Sequence, residues 1–124
     1  CRGIGDMMTP VDLNLGGCKL LVVKPDVHIS TAEAYRGCKP AQWDTPLSEI
    51  IMRHMEMWKN DMKNDFEPQA FAVHQELIAL KKAIYDSGAT YAAMSGSGSS
   101  LYGIYTNNTI TNSFSEYRHY LLDL

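Results

Sequence analysis

The sequence predicts an α+β fold, an antiparallel sheet of about four strands with helices packed on one face. Three features predict it. β-prone runs come in adjacent pairs near both ends, a stretch of helical periodicity fills the middle, and the second pair is joined by the tight run "SGSGSS" at 95 to 100. Strands paired in neighbouring hairpins favour antiparallel ladders over an alternating parallel sheet. The expected order is β-β-α-α-α-β-β-α, in a single domain spanning 1–124.

The first pair is Val11 to Leu13 and Lys19 to Lys24, with Asn14, Gly16 and Gly17 supplying the positive φ of a hairpin connection. Leu20-Leu21-Val22-Val23 is continuously apolar, as suits a central strand, and Pro25 ends it. Ser30 or Thr31 can cap a short helix over Ala32 to Arg36, which Gly37 closes in a left-handed turn. Thr45 can cap a second helix that starts at Pro46, carries Leu47, Ile50, Ile51 and His54 along one side and frays near "WKND". The stretch "NDFEPQAFAVHQELIALKKAIYDSGA" predicts one long helix, with Pro68 near its start, Gly88 past its end, and Phe71, Leu77, Ile78, Ala83 and Ile84 at three- and four-residue steps. "ATYAAM" and "LYGIY" are strands around the Gly-rich turn, and "SFSEYRHYLLDL" predicts a final amphipathic helix.

Composition narrows the function. A formal charge of −3 and a pI near 5.7 give no basic surface for a polyphosphate backbone, so nucleic acid is not expected as a partner. Three cysteines, Cys1, Cys18 and Cys38, without paired spacing argue against a disulfide framework and a zinc site and for a reducing cytoplasm. No apolar run is long enough to span a bilayer, so no membrane association is expected. The chain opens on Cys1 and not Met, and "CRGIGD" reads as a passage from inside a longer polypeptide.

"MSGSGSS", residues 94 to 100, carries the chemistry. Successive N–H groups turned into one concavity make an anion nest, and glycines let a phosphate approach without a clashing Cβ. The run lacks the lysine of GxxxxGK[ST] and leads into a strand, so no helix dipole stands behind a bound phosphate. A plain hairpin loop explains the same residues, since Gly and Ser are common turn formers. Asp65 and Glu67 in "NDFE" suit helix capping and dipole compensation better than metal binding. His28 has no partner at metal-ligand spacing, His54, His74 and His119 fall on helix patterns, and most of the seven methionines read as adaptable core filling.

Taken in order, "TPVDL", "LLVVKPDVHISTAEAY", "NDFE" and "LKKAIYDSGATYAAMSGSGSSLYGIY" resemble the C-terminal half of the 4-diphosphocytidyl-2-C-methyl-D-erythritol kinases, within the GHMP kinase superfamily, from about Gly3 to Tyr105. "MSGSGSS" is similar to the superfamily's third motif, and "PDVHISTAEAY" to a segment of these kinases in particular. The resemblance implies a ferredoxin-like C-terminal domain of a two-domain enzyme. It also implies an ATP-dependent phosphorylation of the substrate's 2-hydroxyl in non-mevalonate isoprenoid synthesis. ATP and Mg²⁺ then serve the full-length enzyme, and none is expected bound here. The nucleotide-binding Gly-rich loop, a lysine and the catalytic aspartate of that family have no counterpart, so no catalytic or metal-binding residue is assigned to this chain. Alone it is expected to be inactive, with the N-terminal domain of the same protein as its partner.

Carried over residue by residue, the resemblance makes Tyr35 the platform that stacks on cytosine and puts Thr31 beside that ring. It makes Gly96, Ser97, Gly98, Ser99 and Ser100 the donors for the cytidine-diphosphate substrate or the edge of the ATP loop. Without it, Tyr35 is a core tyrosine and Thr31 a helix cap. A stand-alone ferredoxin-like module for a small ligand, and another GHMP kinase, remain the alternatives.

Overall fold

The computed structural model describes residues 8–42, 44–107 and 109–124. One four-stranded antiparallel sheet organises them, in the order β2-β3-β1-β4, from β1 (Lys19–Lys24), β2 (Tyr91–Met94), β3 (Leu101–Tyr105) and β4 (Arg118–Asp123). Five helices lie between β1 and β2: α1 (Thr31–Gly37), α2 (Leu47–Ile50), α3 (Met55–Asp61), α4 (Glu67–Val73) and α5 (Gln75–Asp86). β1 pairs with β3 on one side and β4 on the other, so the apolar run Leu20 to Val23 is central, as its composition predicts. β1 and β2 both run antiparallel to β3 and hence parallel to each other, which requires the helical crossover between them.

The sheet alternates between two cores. Leu21, Val23, Ala92, Met94, Leu101 and Tyr105 face α4 and α5 through Ala70, Leu77, Leu80 and Ile84. Tyr91, Ala93 and Ile104 face the other way, against Ile50 of α2 and Trp58 of α3. Helices therefore reach both faces and not only the one expected, because alternate residues of β2 and β3 are apolar on either side; the longest helix lies on the first. That face needs Gly103, where a Cβ would lie 2.5 Å from Ile84 Cγ2, so α5 sits as close to β3 as a backbone permits. The buried Tyr105 hydroxyl meets Ser87 Oγ at 2.7 Å, and Ser87 in turn donates to the Ile84 carbonyl at 2.7 Å, leaving no polar atom of the pair unmatched.

Four further expectations are corrected. Residues 11–13 form no strand: they are exposed, and the side of β1 they would occupy is taken by β4, paired from Lys19↔Asp123 to Lys24↔Arg118. β4 itself replaces the final helix. Only Phe114 of the supposed apolar face is buried, while the free edge of β1 offers six residues a full ladder. The crossover from β3 to β4 is thus a loop, held to the core by Phe114, with Ile110 and Tyr117 packed beside it. The long helix is two, because His74 at φ −124°, ψ 83° breaks it, ending α4 through its N–H to Ala70 and starting α5 through its carbonyl to Leu77.

The fourth correction concerns caps. α2 is preceded by Pro46, without a side-chain cap from Thr45, and the chain turns at 51–54 before α3 begins. Gly37 is the last residue of α1 and not a left-handed stop; Cys38 continues extended at φ −72°. Its lack of a side chain answers to space, since a Cβ there would come within 2.4 Å of Gln69 Cγ on α4. Gly88, at φ 107°, does end α5 in the predicted way.

Candidate functional site

The Gly-rich turn links β2 to β3 at the end of the sheet nearest α1. Ser95 N–H closes it on the Ser100 carbonyl at 2.8 Å and Gly98 N–H bonds the Ser95 carbonyl at 3.0 Å. Gly96 at φ 56° and Gly98 at φ 90° take backbone angles that side chains disfavour, and a Cβ on Gly98 would strike Met94 Sδ at 2.7 Å. Among the described residues the N–H groups of Gly96, Ser97, Ser99 and Ser100 have no acceptor within the chain; Ser99 is buried, and those of Gly96, Ser97 and Ser100 lie on residues that solvent reaches, so they are available to an anion.

Two anchors hold this turn. On one side Ser99, 2% exposed, donates a short hydrogen bond to the Val27 carbonyl and receives one from Lys24 Nζ at 2.9 Å. That ties the turn to the segment that leads into α1. On the other side Asn64 Nδ2 donates to the carbonyls of Met94 at 2.8 Å and Gly96 at 2.9 Å, while Glu67 Oε1 accepts the Met94 N–H at 2.8 Å. Lys81 pairs with the other Glu67 oxygen at 2.7 Å.

α1 begins at Ser30, whose hydroxyl accepts the Glu33 N–H while the Glu33 carboxylate reaches back to the Ser30 N–H and hydroxyl. These Ser30 bonds hold the Glu33 carboxyl below the ordinary carboxylate range. The box fixes the helix that presents Tyr35. The Tyr35 ring, 66% exposed, meets Phe66 edge to face at 5.0 Å and 72°, a geometry that steadies it while leaving a face in solvent.

Tyr35 and Gly96 border one cleft of about 680 Å³. Its floor includes Tyr91 and Tyr102, and Lys63, Asn64 and Asp65 stand on its wall. Tyr91 and Tyr102 lie ring to ring at 6.1 Å, and burial pushes both phenols up, so they stay neutral at physiological pH. An uncharged aromatic floor beside free backbone amides and an exposed ring suits a ligand that combines a flat base with an anionic group.

The predicted site residues divide. The structure brings Tyr35 and Gly96 to the cleft; Thr31, Ser97, Gly98, Ser99 and Ser100 are outside its lining. Thr31 occupies the first turn of α1, exposed, and the capping role belongs to Ser30. The Ser99 hydroxyl is spent inside the fold. Sequence reasoning missed Asn64, Phe66, Glu67 and Lys24. "NDFE" does include a local turn, through Phe66 N–H to Asn64 Oδ1 at 2.9 Å, and Glu67 lies in the first turn of α4. Its longer reach to the Gly-rich turn, 30 residues away in sequence, had no signal within the motif.

The chain, with its four-stranded antiparallel sheet and fastened glycine-serine turn, belongs to the GHMP kinase C-terminal family, whose model matches residues 47–117. Among the similar proteins, the 4-diphosphocytidyl-2-C-methyl-D-erythritol kinase of Bacteroides fragilis is 49% identical over 105 residues, covering 85% of this chain and 38% of the relative. That of Parabacteroides distasonis is 47% identical over 107 residues, covering 86% and 40%. A crystal structure of 4-(cytidine 5′-diphospho)-2C-methyl-D-erythritol kinase superposes with a TM-score of 0.66 at 26% identity, over 83% of this chain and 38% of that one. Homoserine kinase from Cytophaga hutchinsonii superposes at 0.59 with 21% identity over 81% and 35%, a likeness of fold. The chain thus spans well under half the length of the relatives it matches.

Proposed function

We propose that this chain is the substrate-side, C-terminal half of an ATP-dependent kinase that phosphorylates the 2-hydroxyl of 4-diphosphocytidyl-2-C-methyl-D-erythritol in the cytoplasm. The observation that carries the reading is the shared cleft of Tyr35 and Gly96, in a chain 49% identical to a kinase of that name. In this reading the exposed face of Tyr35 stacks on the cytosine ring with Thr31 near the base, and the free amides of Gly96, Ser97 and Ser100 hold the diphosphate, with Gly98 and Ser99 shaping the turn. Stacking and donors fixed in advance orient the acceptor hydroxyl, which is the main task of a protein in phosphoryl transfer.

Toward ATP and Mg²⁺ the residues present offer little. Among the described residues no three His, Cys, Asp or Glu side chains gather where they could hold a metal ion, and no helix N-terminus follows the Gly-rich turn, which leads into β3. The nucleotide loop, the metal ligands and the base that accepts the substrate proton are assigned to the N-terminal domain of the same protein, which is the partner of this single domain.

The test is turnover of the full-length protein with ATP and the cytidine-diphosphate acceptor, before and after Tyr35→Ala. Loss of one base stack is worth about 1–3 kcal/mol, so KM for the acceptor rises about 5- to 150-fold while KM for ATP stays within about threefold. Turnover of homoserine and not of the cytidine acceptor contradicts the reading.

A further inference from the structure

We propose that Asn64, backed by Glu67 and Lys81, is a positioning residue that aims the amides of the Gly-rich turn at a phosphate group of the acceptor; this rests on the kinase reading above. Asn64 spends its whole side-chain amide on backbone. Both Nδ2 hydrogens are used, on the carbonyls of Met94 and Gly96, and Oδ1 takes the Phe66 N–H. It therefore borders the cleft without a donor left for a ligand, and it acts through the turn.

The geometry says what that action is. A trans peptide is planar, with its C=O and N–H pointing in opposite directions. Holding the Gly96 carbonyl toward Asn64 consequently sends the Ser97 N–H away from it, and that N–H has no acceptor among the described residues. The neighbouring Met94 peptide groups are fixed from the same side: its carbonyl by Asn64, its N–H by Glu67. Met94 and Gly96, two residues apart, thus turn their carbonyls to one side chain; the peptide unit after Met94 spends its N–H on the Ser100 carbonyl, while the unit after Gly96 leaves the Ser97 N–H outward, a donor of the polarity a phosphate requires.

Lys81 solves the electrostatic problem this creates. A carboxylate beside a phosphate site repels the ligand, and Glu67 is well buried, its side chain 13% exposed. Lys81 Nζ, 2.7 Å from Glu67 Oε2 and 5.7 Å from the centre of the Phe71 ring, cancels that charge and is itself held in place. The polar chain Lys81–Glu67–Met94 and the Asn64 amide form one support, built from α4, α5 and the loop before α4.

The test uses the full-length protein. Asn64→Asp keeps the acceptor for Phe66 N–H and replaces the shared donor by an oxygen. With one or two hydrogen bonds lost at about 1 kcal/mol each, kcat/KM for the acceptor falls about 5- to 30-fold in protein shown to be folded by circular dichroism, and KM for ATP stays within about twofold. In parallel, the Ser97 amide resonance, titrated with inorganic pyrophosphate, saturates at a correspondingly higher concentration. A folded Asn64→Asp enzyme with wild-type kcat/KM and an unchanged pyrophosphate midpoint overturns the proposal. Should that variant not fold, Lys81→Met decides: a two- to fivefold weaker pyrophosphate midpoint restored by Lys81→Arg supports it, and an unchanged midpoint overturns it. Failure of the kinase reading looks different, because the Ser97 amide then still responds to pyrophosphate while the cytidine acceptor is not turned over.

Discussion

The two edge strands of the sheet are finished in opposite ways. β2 is four residues long and buried throughout, and side chains of the same chain complete its outer edge: Tyr85 hydroxyl donates to the Ala92 carbonyl at 3.2 Å, and Asn64 and Glu67 take the carbonyl and N–H of Met94. β4 is six residues long and exposed throughout, with Tyr120, Leu121 and Leu122 between 49% and 58% exposed. Its outer edge meets no hydrogen-bonding partner among the described residues. An open apolar edge is a liability that folded proteins usually cover or charge. The contrast teaches that packing is concentrated on the β2 side of the sheet, which borders the candidate cleft, and that β4 contributes a ladder to β1 but little packing.

The sharpest way to break the contrast is to hollow out the support of β2. Trp58 is 4% exposed and stacks edge to face on Tyr91 at 5.8 Å, so Trp58→Ala costs about 3–5 kcal/mol of unfolding free energy. Tyr120→Ala on β4 costs under about 1 kcal/mol. Urea denaturation of both variants measures the difference, and equal losses would dissolve the distinction between the edges.

A smaller effect sharpens the comparison at the turn itself. Ser99→Ala removes the hydroxyl that joins the Val27 carbonyl to Lys24 and leaves that carbonyl only its longer bond from Lys24 Nζ at 3.4 Å, for a loss of about 1 kcal/mol. Amide hydrogen exchange should rise at 95–100 and leave β4 unchanged; a rise spread over the whole sheet would mean that the turn is not a separately anchored unit.

Legibility in the sequence followed the same division. β1, β2 and β3 were readable because their apolar runs are short, β-prone and bounded by Pro25, Gly88 and the Gly-rich turn. The pairing rules gave the β2–β3 hairpin, whereas the other expected pair, residues 11–13 with β1, does not form and β4 takes its place. β4 was not readable: "YRHYLLDL" has helical spacing at Tyr117 and Leu121 and becomes a strand only because β1 has an unfilled side, a condition stated nowhere near it in sequence. The break at His74 likewise has no local marker, since the residues around it are ordinary helix formers. At the site, Gly96 and Tyr35 stood out by composition and by resemblance, whereas Asn64 and Glu67 act over a sequence distance of about 30 residues and look like capping residues until the fold sets them against Met94.

The central claim is that Tyr35 and the Gly-rich turn serve one ligand. Titrating the full-length protein with cytidine 5′-diphosphate while following the Tyr35 ring and the Gly96 and Ser97 amides by NMR tests it directly. The account predicts that ring and amides shift together and saturate at the same concentration; amides that respond while the Tyr35 ring stays still would contradict it.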